Sequence, residues 1–417
     1  MVEKGKITFI DLFSGCGGLT EGFLQSEKFE ALAHLEWDLP MVDTLRHRLI
    51  KKWGHSKEES FRNVIHFDIQ KTDELFNGNW SNETKTKFLK TNHEDISKLG
   101  LHGLLNGKKV NLIIGGPPCQ AYSIAGRAQD KNGMKDDYRN YLFESFVALV
   151  NEFNPDVFVF ENVPGLLSAK PGDVLVTERI FKAFEKIGYQ IRDPKNISKS
   201  VYTASDLGVP QKRNRVIIVG VKKDGNLDVE KIYTSIDKFK SKNEVTVKDA
   251  IGHLPSIFPL EQPIKENGKN VSHKISTIKQ IKFHEPRFHN LRDISIFKTW
   301  VNENYNKSTS KEKIAFYNSQ IGKATNHGKY RNLEWDKPSP TIVAHLNKDG
   351  LMFIHPDGKQ ARSITIKEAA LLQSFPEDFE FVGSSAYCYK MIGNAVPPEM
   401  AKKIALAIAE NLNKDEE

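Results

Sequence analysis

The apolar run Val110-Asn111-Leu112-Ile113-Ile114 stops at Gly115-Gly116-Pro117-Pro118-Cys119-Gln120, and no other stretch limits the fold so sharply. Two successive prolines fix φ and remove two backbone donors, so strand pairing ends there and the chain bends at the edge of its sheet. In open α/β sheets that edge is where ligands bind. Cys119 is thus carried on a rigid turn, either as a buried structural cysteine or as a nucleophile.

Three downstream and upstream segments favour the nucleophile. Asp156-Val-Phe-Val-Phe160 runs into Glu161-Asn162-Val163-Pro164, which puts a carboxylate at a second strand end. Gln211-Lys212-Arg213-Asn214-Arg215 precedes Val216 to Val219, and alternate strand residues share a side, so Arg213 and Arg215 are expected to converge on one polar ligand. Ile7 to Phe13 leads into Ser14-Gly15-Cys16-Gly17-Gly18, a glycine turn that lets backbone amides approach a ligand. Together these groups suit attack on an electron-poor pyrimidine. A thiolate adds to C6, an acid at N3 neutralises the developing charge, and C5 becomes able to take a methyl group from a sulfonium. In that chemistry Cys119 attacks and Glu161 donates to N3 and clamps the exocyclic amine. Arg215 with Arg213 holds O2 or a phosphate, and their charge helps ionise the thiol.

Strand-like runs near residues 6–13, 30–36, 62–67, 110–114, 156–160 and 215–222 alternate with helical patterns at 141–153 and 174–187. That rhythm predicts an α/β fold, a mostly parallel sheet covered on both faces. A length of 417 residues exceeds one compact core, so a second lobe is expected. The rhythm breaks after Lys222 and turns helical again at Ile366 to Gln373. The last helix, Pro398 to Leu412, carries Met400, Ile404, Ala405, Ile408 and Leu412 on one face and should return to the first lobe. The division expected is 1–222 for the first lobe, 223–382 for a smaller loop-rich one, and 383–417 for the returning segment.

The same motifs, in this order, resemble those of the DNA (cytosine-5)-methyltransferases of bacterial type II restriction-modification systems, almost from end to end. The resemblance implies a Rossmann-like sheet that binds S-adenosyl-L-methionine, and a target-recognition domain. Asp11 to Gly18 is similar to the family's first motif, in which Phe13, Ser14, Gly15, Gly17 and Gly18 hold the cofactor. Glu36 corresponds to the acid on the ribose hydroxyls, Trp37 to the aromatic on adenine, and Asp68-Ile69 to the pair at the adenine amine. Pro118, Leu142, Asn394 and Val396 are implied cofactor neighbours. Taken alone, Phe13 and Leu142 also read as core, and Glu36 and Asp68 as helix caps. Arg362 and Glu368, in the ninth motif, are implied to brace the two lobes. Cys119, Glu161, Arg213 and Arg215 are the implied catalytic residues, Asn162 and Val163 substrate-binding ones. The segment 121–137 matches the loop that closes over DNA, with Ser123 and Arg127 as phosphate contacts. A cytosine in duplex DNA must be flipped out to expose both ring faces, at a cost of a few kcal/mol.

Charge alone suits a nucleic-acid partner or a solvated surface equally. The place of the basic stretch between the eighth and ninth motifs, where the resembled family keeps its target-recognition domain, implies DNA. From Lys223 to Lys359 there are 23 Lys and Arg against 16 acids, whereas the rest balances at 37 against 37. Asn, His and aromatic residues interleave with this excess, as groove and phosphate contacts require. Cys16, Cys119 and Cys388 are too scattered for a disulfide framework or a zinc site, so no metal is expected. No apolar run reaches membrane-spanning length. The expectation is a cytoplasmic, nucleoid-associated monomer acting on double-stranded DNA, with any cognate restriction endonuclease acting separately. A tRNA-methylating branch of the family is the alternative, although its Cys-Phe-Thr signature is absent. A dehydrogenase would leave Cys119 and the arginines unexplained, and an inactive DNA-binding relative would be expected to lack Cys119 or Glu161. The polar stretch 77–107 is longer than compact family members need, and sequence leaves open whether it contacts DNA or supports a lobe.

Overall fold

The computed structural model describes residues 5–118, 142–170, 174–277, 280–322 and 324–412. Its centre is a sheet of β1 (Ile7–Leu12), β2 (Phe29–Glu36), β3 (Val64–His66), β4 (Leu112–Gly115), β5 (Val157–Asn162), β6 (Tyr189–Ile191), β7 (Val201–Thr203) and β9 (Asn214–Lys222). The order is β3-β2-β1-β4-β5-β9-β6, with β7 also on β9. β1 to β5 are parallel. β9 is antiparallel to β5, β6 and β7, and these two three-residue strands are too short to register as a hydrophobic pattern.

The central strands are Val, Ile and Phe runs because both faces are covered. Helices Leu142–Phe153 and Val176–Lys186 pack Phe146, Leu149, Ile180 and Phe184 with Phe158 and Phe160 on one face. On the other, helix Gly18–Gln25 and helix Pro398–Leu412 pack Leu19, Phe23, Met400, Ile404 and Ile408 with Phe9 and Ile217. Helix Val229–Asp237 adds Val229, Ile232, Tyr233 and Ile236 to this second cluster. The returning helix therefore completes the core begun by β1.

The segment before β4 folds into helices Thr72–Asn77, Asn82–Phe88 and Glu94–Leu105 at the β3 edge of the sheet. Beyond residue 240 the chain forms a hairpin of β10 (Ile257–Glu266) and β11 (Lys269–Ile275), then helices Leu291–Asn302 and Ser310–Ile321. An apolar cluster of Ile342, Leu346, Phe353, Ile364, Phe375 and Phe381 includes Tyr389, Met391 and Ile392 of helix Ser385–Asn394. A two-residue parallel pairing of β8 (Gln211–Lys212) with β12 (Ser339–Pro340) links this region to the sheet. Among the described residues no helix is long and apolar enough to cross a membrane.

Candidate active site

Leu12, Glu36, His66, Gly115 and Asn162 are the last residues of β1 to β5, so five strand ends share one edge. β1 lies between β2 and β4, and the crossovers leave it in opposite directions, which opens a crevice at this point. The glycine turn ends β1 and the Pro117-Pro118 turn follows β4. The candidate groups fall on either side of that crevice.

On the β1–β2 side, Phe13 has φ 56°, a left-handed conformation that costs a bulky residue roughly 1–3 kcal/mol and persists only where its surroundings enforce it. Here the Ser14 amide donates to Leu35 O at 3.0 Å and the Gly17 amide to Ser14 O at 2.9 Å. Gly15, at φ 56°, donates to Glu36 Oε2 at 2.8 Å, while Glu36 Oε1 accepts from the Trp37 and Asp38 amides at 2.8 Å each. Burial pushes the Glu36 carboxyl up, and these three amides oppose it. Trp37 beside it is 50% exposed, and Ile69 is buried. Asp68 is half-buried and accepts from the Gln70 amide at 3.1 Å within its own turn. Gly18 has a packing role, since a Cβ there would lie 2.3 Å from Val396 O. Asn394 is exposed and Pro118 is exposed, whereas Leu142 is buried in the sheet's apolar cluster.

On the β5 side, Glu161 is 8% exposed. Because β9 runs antiparallel to β5, its first residues lie beside the last residues of β5, with Asn162 opposite Val216. Arg215 Nε accordingly reaches Glu161 Oε1 at 2.6 Å. This is a charge contact without hydrogen-bond alignment, for Oε1 has no hydrogen-bond partner among the described residues. A Cβ on Gly116 would sit 2.6 Å from Glu161 Oε2, so the first residue after β4 leaves room for the carboxylate. Asn162 is buried, donates Nδ2 to Pro117 O at 3.2 Å and accepts the Val163 amide at 2.9 Å. It fixes the proline turn that precedes Cys119. Cys119, Ser123 and Arg127 lie outside the described residues.

The expected convergence of Arg213 and Arg215 is corrected. Arg213 is 1% exposed and donates Nη1 to Ile342 O at 2.7 Å and Nη2 to Gly393 O at 2.9 Å. Strand alternation fixes which side a long side chain leaves from, but these carbonyls draw the Arg213 guanidinium away from Glu161. Gln211 acts in the same way, bonding Gln373 and Leu372 O and accepting the Ile342 amide at 2.9 Å. Both residues tie the sheet to the region beyond residue 240.

Asp11 was not singled out by its own chemistry, although an acid inside the apolar run Phe9-Ile10-Asp11-Leu12 is a readable signal. It is fully buried, accepts from Thr20 Oγ1 at 2.6 Å, and its Oδ1 has no partner among the described residues. Burial, with Glu36 adding to it and the Thr20 hydroxyl opposing, raises its carboxyl to about 7. Among the described residues no cluster of His, Cys, Asp and Glu could hold a metal ion.

A family model described as C-5 cytosine-specific DNA methylase matches residues 60–410. Type II methyltransferase M.Bpa9945I of Bacillus paralicheniformis is 33% identical, with 97% of this chain aligned to 99% of that protein. Type II methyltransferase M.DdeI of Desulfomicrobium norvegicum is 31% identical, covering 98% of this chain and 90% of that one. Among solved structures, a DNA modification methyltransferase encoded within an E. coli prophage matches with a TM-score of 0.58 at 26% identity, over 98% of this chain and 100% of that one. The Dnmt2 methyltransferase of S. pombe, at a TM-score of 0.54 and 13% identity over 98% and 99%, is a likeness of fold alone.

Proposed function

The chain belongs to the C-5 cytosine-specific DNA methylase family, and on that premise we propose how its strand-end residues divide the work. It is a DNA (cytosine-5)-methyltransferase of the type II restriction-modification kind, and its catalysis depends on S-adenosyl-L-methionine. The alternative of a tRNA substrate has no comparable support, since the relatives at about a third identity are type II methyltransferases.

The residues at the ends of β1 and β2 fit the cofactor. A strained Phe13, a glycine turn fastened to Glu36 and a half-exposed Trp37 make a platform with an acid at its edge. Phe13, Ser14, Gly15 and Gly17 would hold the methionine end, Glu36 and Trp37 the ribose and adenine, Asp68 and Ile69 the adenine edge. When bound, the cofactor supplies an electrophilic methyl group. Gly18, Val396 and Leu142 act from behind, by packing.

The cytosine is flipped from the duplex and its C6 is attacked by the Cys119 thiolate, forming a carbon–sulfur bond while Glu161 protonates or hydrogen-bonds N3. Electron density released to C5 lets it take the methyl group. Loss of the C5 proton to water, with the N3 proton returning to Glu161, then expels Cys119 as thiolate and restores the ring. Arg215 holds Glu161 in place and would donate to O2 of the ring. Asn162 keeps the Pro117 carbonyl, and with it the nucleophile's turn, in register with Glu161, while Val163, the next residue, would contact the base. Ser123, Arg127 and the basic stretch 223–359 contact DNA phosphates and base edges. The reading extends to a cytoplasmic, nucleoid-associated monomer acting on double-stranded DNA, with any cognate restriction endonuclease acting separately.

For the lobes, the proposed division is a first lobe of 1–222, a smaller recognition lobe of 223–382 and a returning segment of 383–417, and the core that Pro398–Leu412 shares with β1 supports the return of the last segment.

The observation that carries the mechanism is Glu161, buried at a strand end against Arg215 and beside the turn that leads into Cys119. Duplex oligonucleotides carrying 5-fluorocytosine in the methylated site should trap a covalent complex in the presence of the cofactor. Cys119→Ser should trap none and transfer no methyl groups while still binding DNA. Turnover by that variant would refute the assignment.

A further inference from the structure

The three helices between residues 72 and 105 have no part in the reaction as described. They do, however, enclose one element of it. Phe88, 1% exposed, has its ring centre 5.2 Å from those of His66 and Phe67 and 5.8 Å from that of Trp37, to which it lies edge-on at 67°. Asn92 imitates a paired strand, for its Oδ1 accepts the His66 amide at 2.8 Å and its Nδ2 donates to His66 O at 2.8 Å. Thr91 Oγ1 meets His66 Nδ1 at 2.8 Å, and His66 Nε2 meets Trp37 O at 2.9 Å. Lys87, itself exposed, places Nζ 4.1 Å from the centre of the Trp37 ring.

The indole is therefore fixed by a cation on its face, an aromatic ring at its edge and a hydrogen bond at its own carbonyl, while half its surface stays open. A solvated surface tryptophan needs none of these restraints. An aromatic platform on which a planar ring stacks needs its orientation set in advance, because ordering it on binding would cost affinity. The segment 77–107 also carries only four lysines against three acids, too little excess to act as a phosphate-binding surface.

We propose that this helical insert is the outer wall of the cofactor's adenine site, and that Lys87 is a positioning residue that holds Trp37 for stacking. The proposal rests on the reading of Trp37 as the adenine platform.

The test uses full-length Lys87→Met, Lys87→Arg and wild type, titrated with S-adenosyl-L-homocysteine by calorimetry and assayed for methyl transfer. Loss of an exposed cation–π contact should raise the dissociation constant and the cofactor KM by about threefold to fivefold. The kcat and the KM for DNA should stay at wild-type values, and Lys87→Arg should restore the affinity. Unchanged cofactor affinity in Lys87→Met would overturn the proposal, and a raised KM for DNA alone would reassign the segment to DNA contact. Wild type that failed to bind S-adenosyl-L-homocysteine would instead break the reading of the cofactor site itself.

Discussion

Glu161 and Glu368 are both buried glutamates facing an arginine, and the chain treats them in opposite ways. Arg362 Nη1 and Nη2 each donate to Glu368 at 2.7 Å, and the Thr365 amide adds a third bond at 2.8 Å. The rest of the guanidinium is spent on Gln360 Oε1 and Ser363 O. Burial would raise the Glu368 carboxyl, yet Arg362, with His355 and His284 nearby, holds it far below the ordinary carboxylate range. Among the described residues Glu161 has one charge contact, and that contact is not an aligned hydrogen bond. A saturated carboxylate is a structural tie, whereas one with unused capacity can carry the proton that it gives to a substrate nitrogen. Arg362 and Glu368 also lie six residues apart in one segment, so they brace the region beyond residue 240 internally, where a brace between lobes was expected. Ties between the lobes come from elsewhere, among them Gln211 and Arg213, Arg48 with Asp378 at 3.0 Å and His47 with Glu380 at 2.8 Å.

Removing Arg362 should separate the two pairs most clearly. Arg362→Ala leaves Glu368 ionised, buried and without its partner, which should cost about 3–5 kcal/mol of stability. Chemical denaturation would report it. A loss under 1 kcal/mol would mean that the pair is no tie at all.

Glu161→Gln probes the other pair. With the charge gone but the shape kept, methyl transfer should fall by about two orders of magnitude or more, and thermal stability should hardly change. If melting drops as it does for Arg362→Ala, Glu161 is a brace too, and the distinction between the pairs collapses.

How much of this could be read from the chain follows from the range of each signal. All six strands expected from hydrophobic runs are present, and the acid and the glycine turn sit at their ends, because strand ends are punctuated locally by Gly and Pro. Arg213 was misjudged because period two gives the side of departure, while the carbonyls that hold its tip come from residues 342 and 393. The contact of Lys87 with Trp37 is non-local in the same way, with two elements brought together only by packing at the β3 edge. The boundaries proposed at 222 and 383 rest on changes of composition, which are local, whereas the meeting of helix Val229–Asp237 with Pro398–Leu412 is a matter of packing between distant segments.

Asp11 sharpens the comparison at smaller amplitude, since it belongs with Glu161 as a buried acid whose bonding is incomplete. Its folded-state value of about 7 lies above the ordinary 3.8, so between those limits the folded chain keeps a proton that the unfolded chain releases. Stability from this group is therefore full below about 3.8 and lost as pH rises through about 7, the reverse of the behaviour of Glu368, whose contribution is present above the ordinary carboxylate value and lost in acid. Asp11→Asn stays neutral throughout and keeps an acceptor for the Thr20 hydroxyl. Wild type should lose on the order of 2 kcal/mol relative to this variant between pH 5 and pH 7, after which the difference should level off. Melting curves of both proteins from pH 5 to pH 8 decide it. A gap that does not change with pH would show that Asp11 is already ionised in the fold, and that its unpartnered oxygen is satisfied by solvent rather than by a proton.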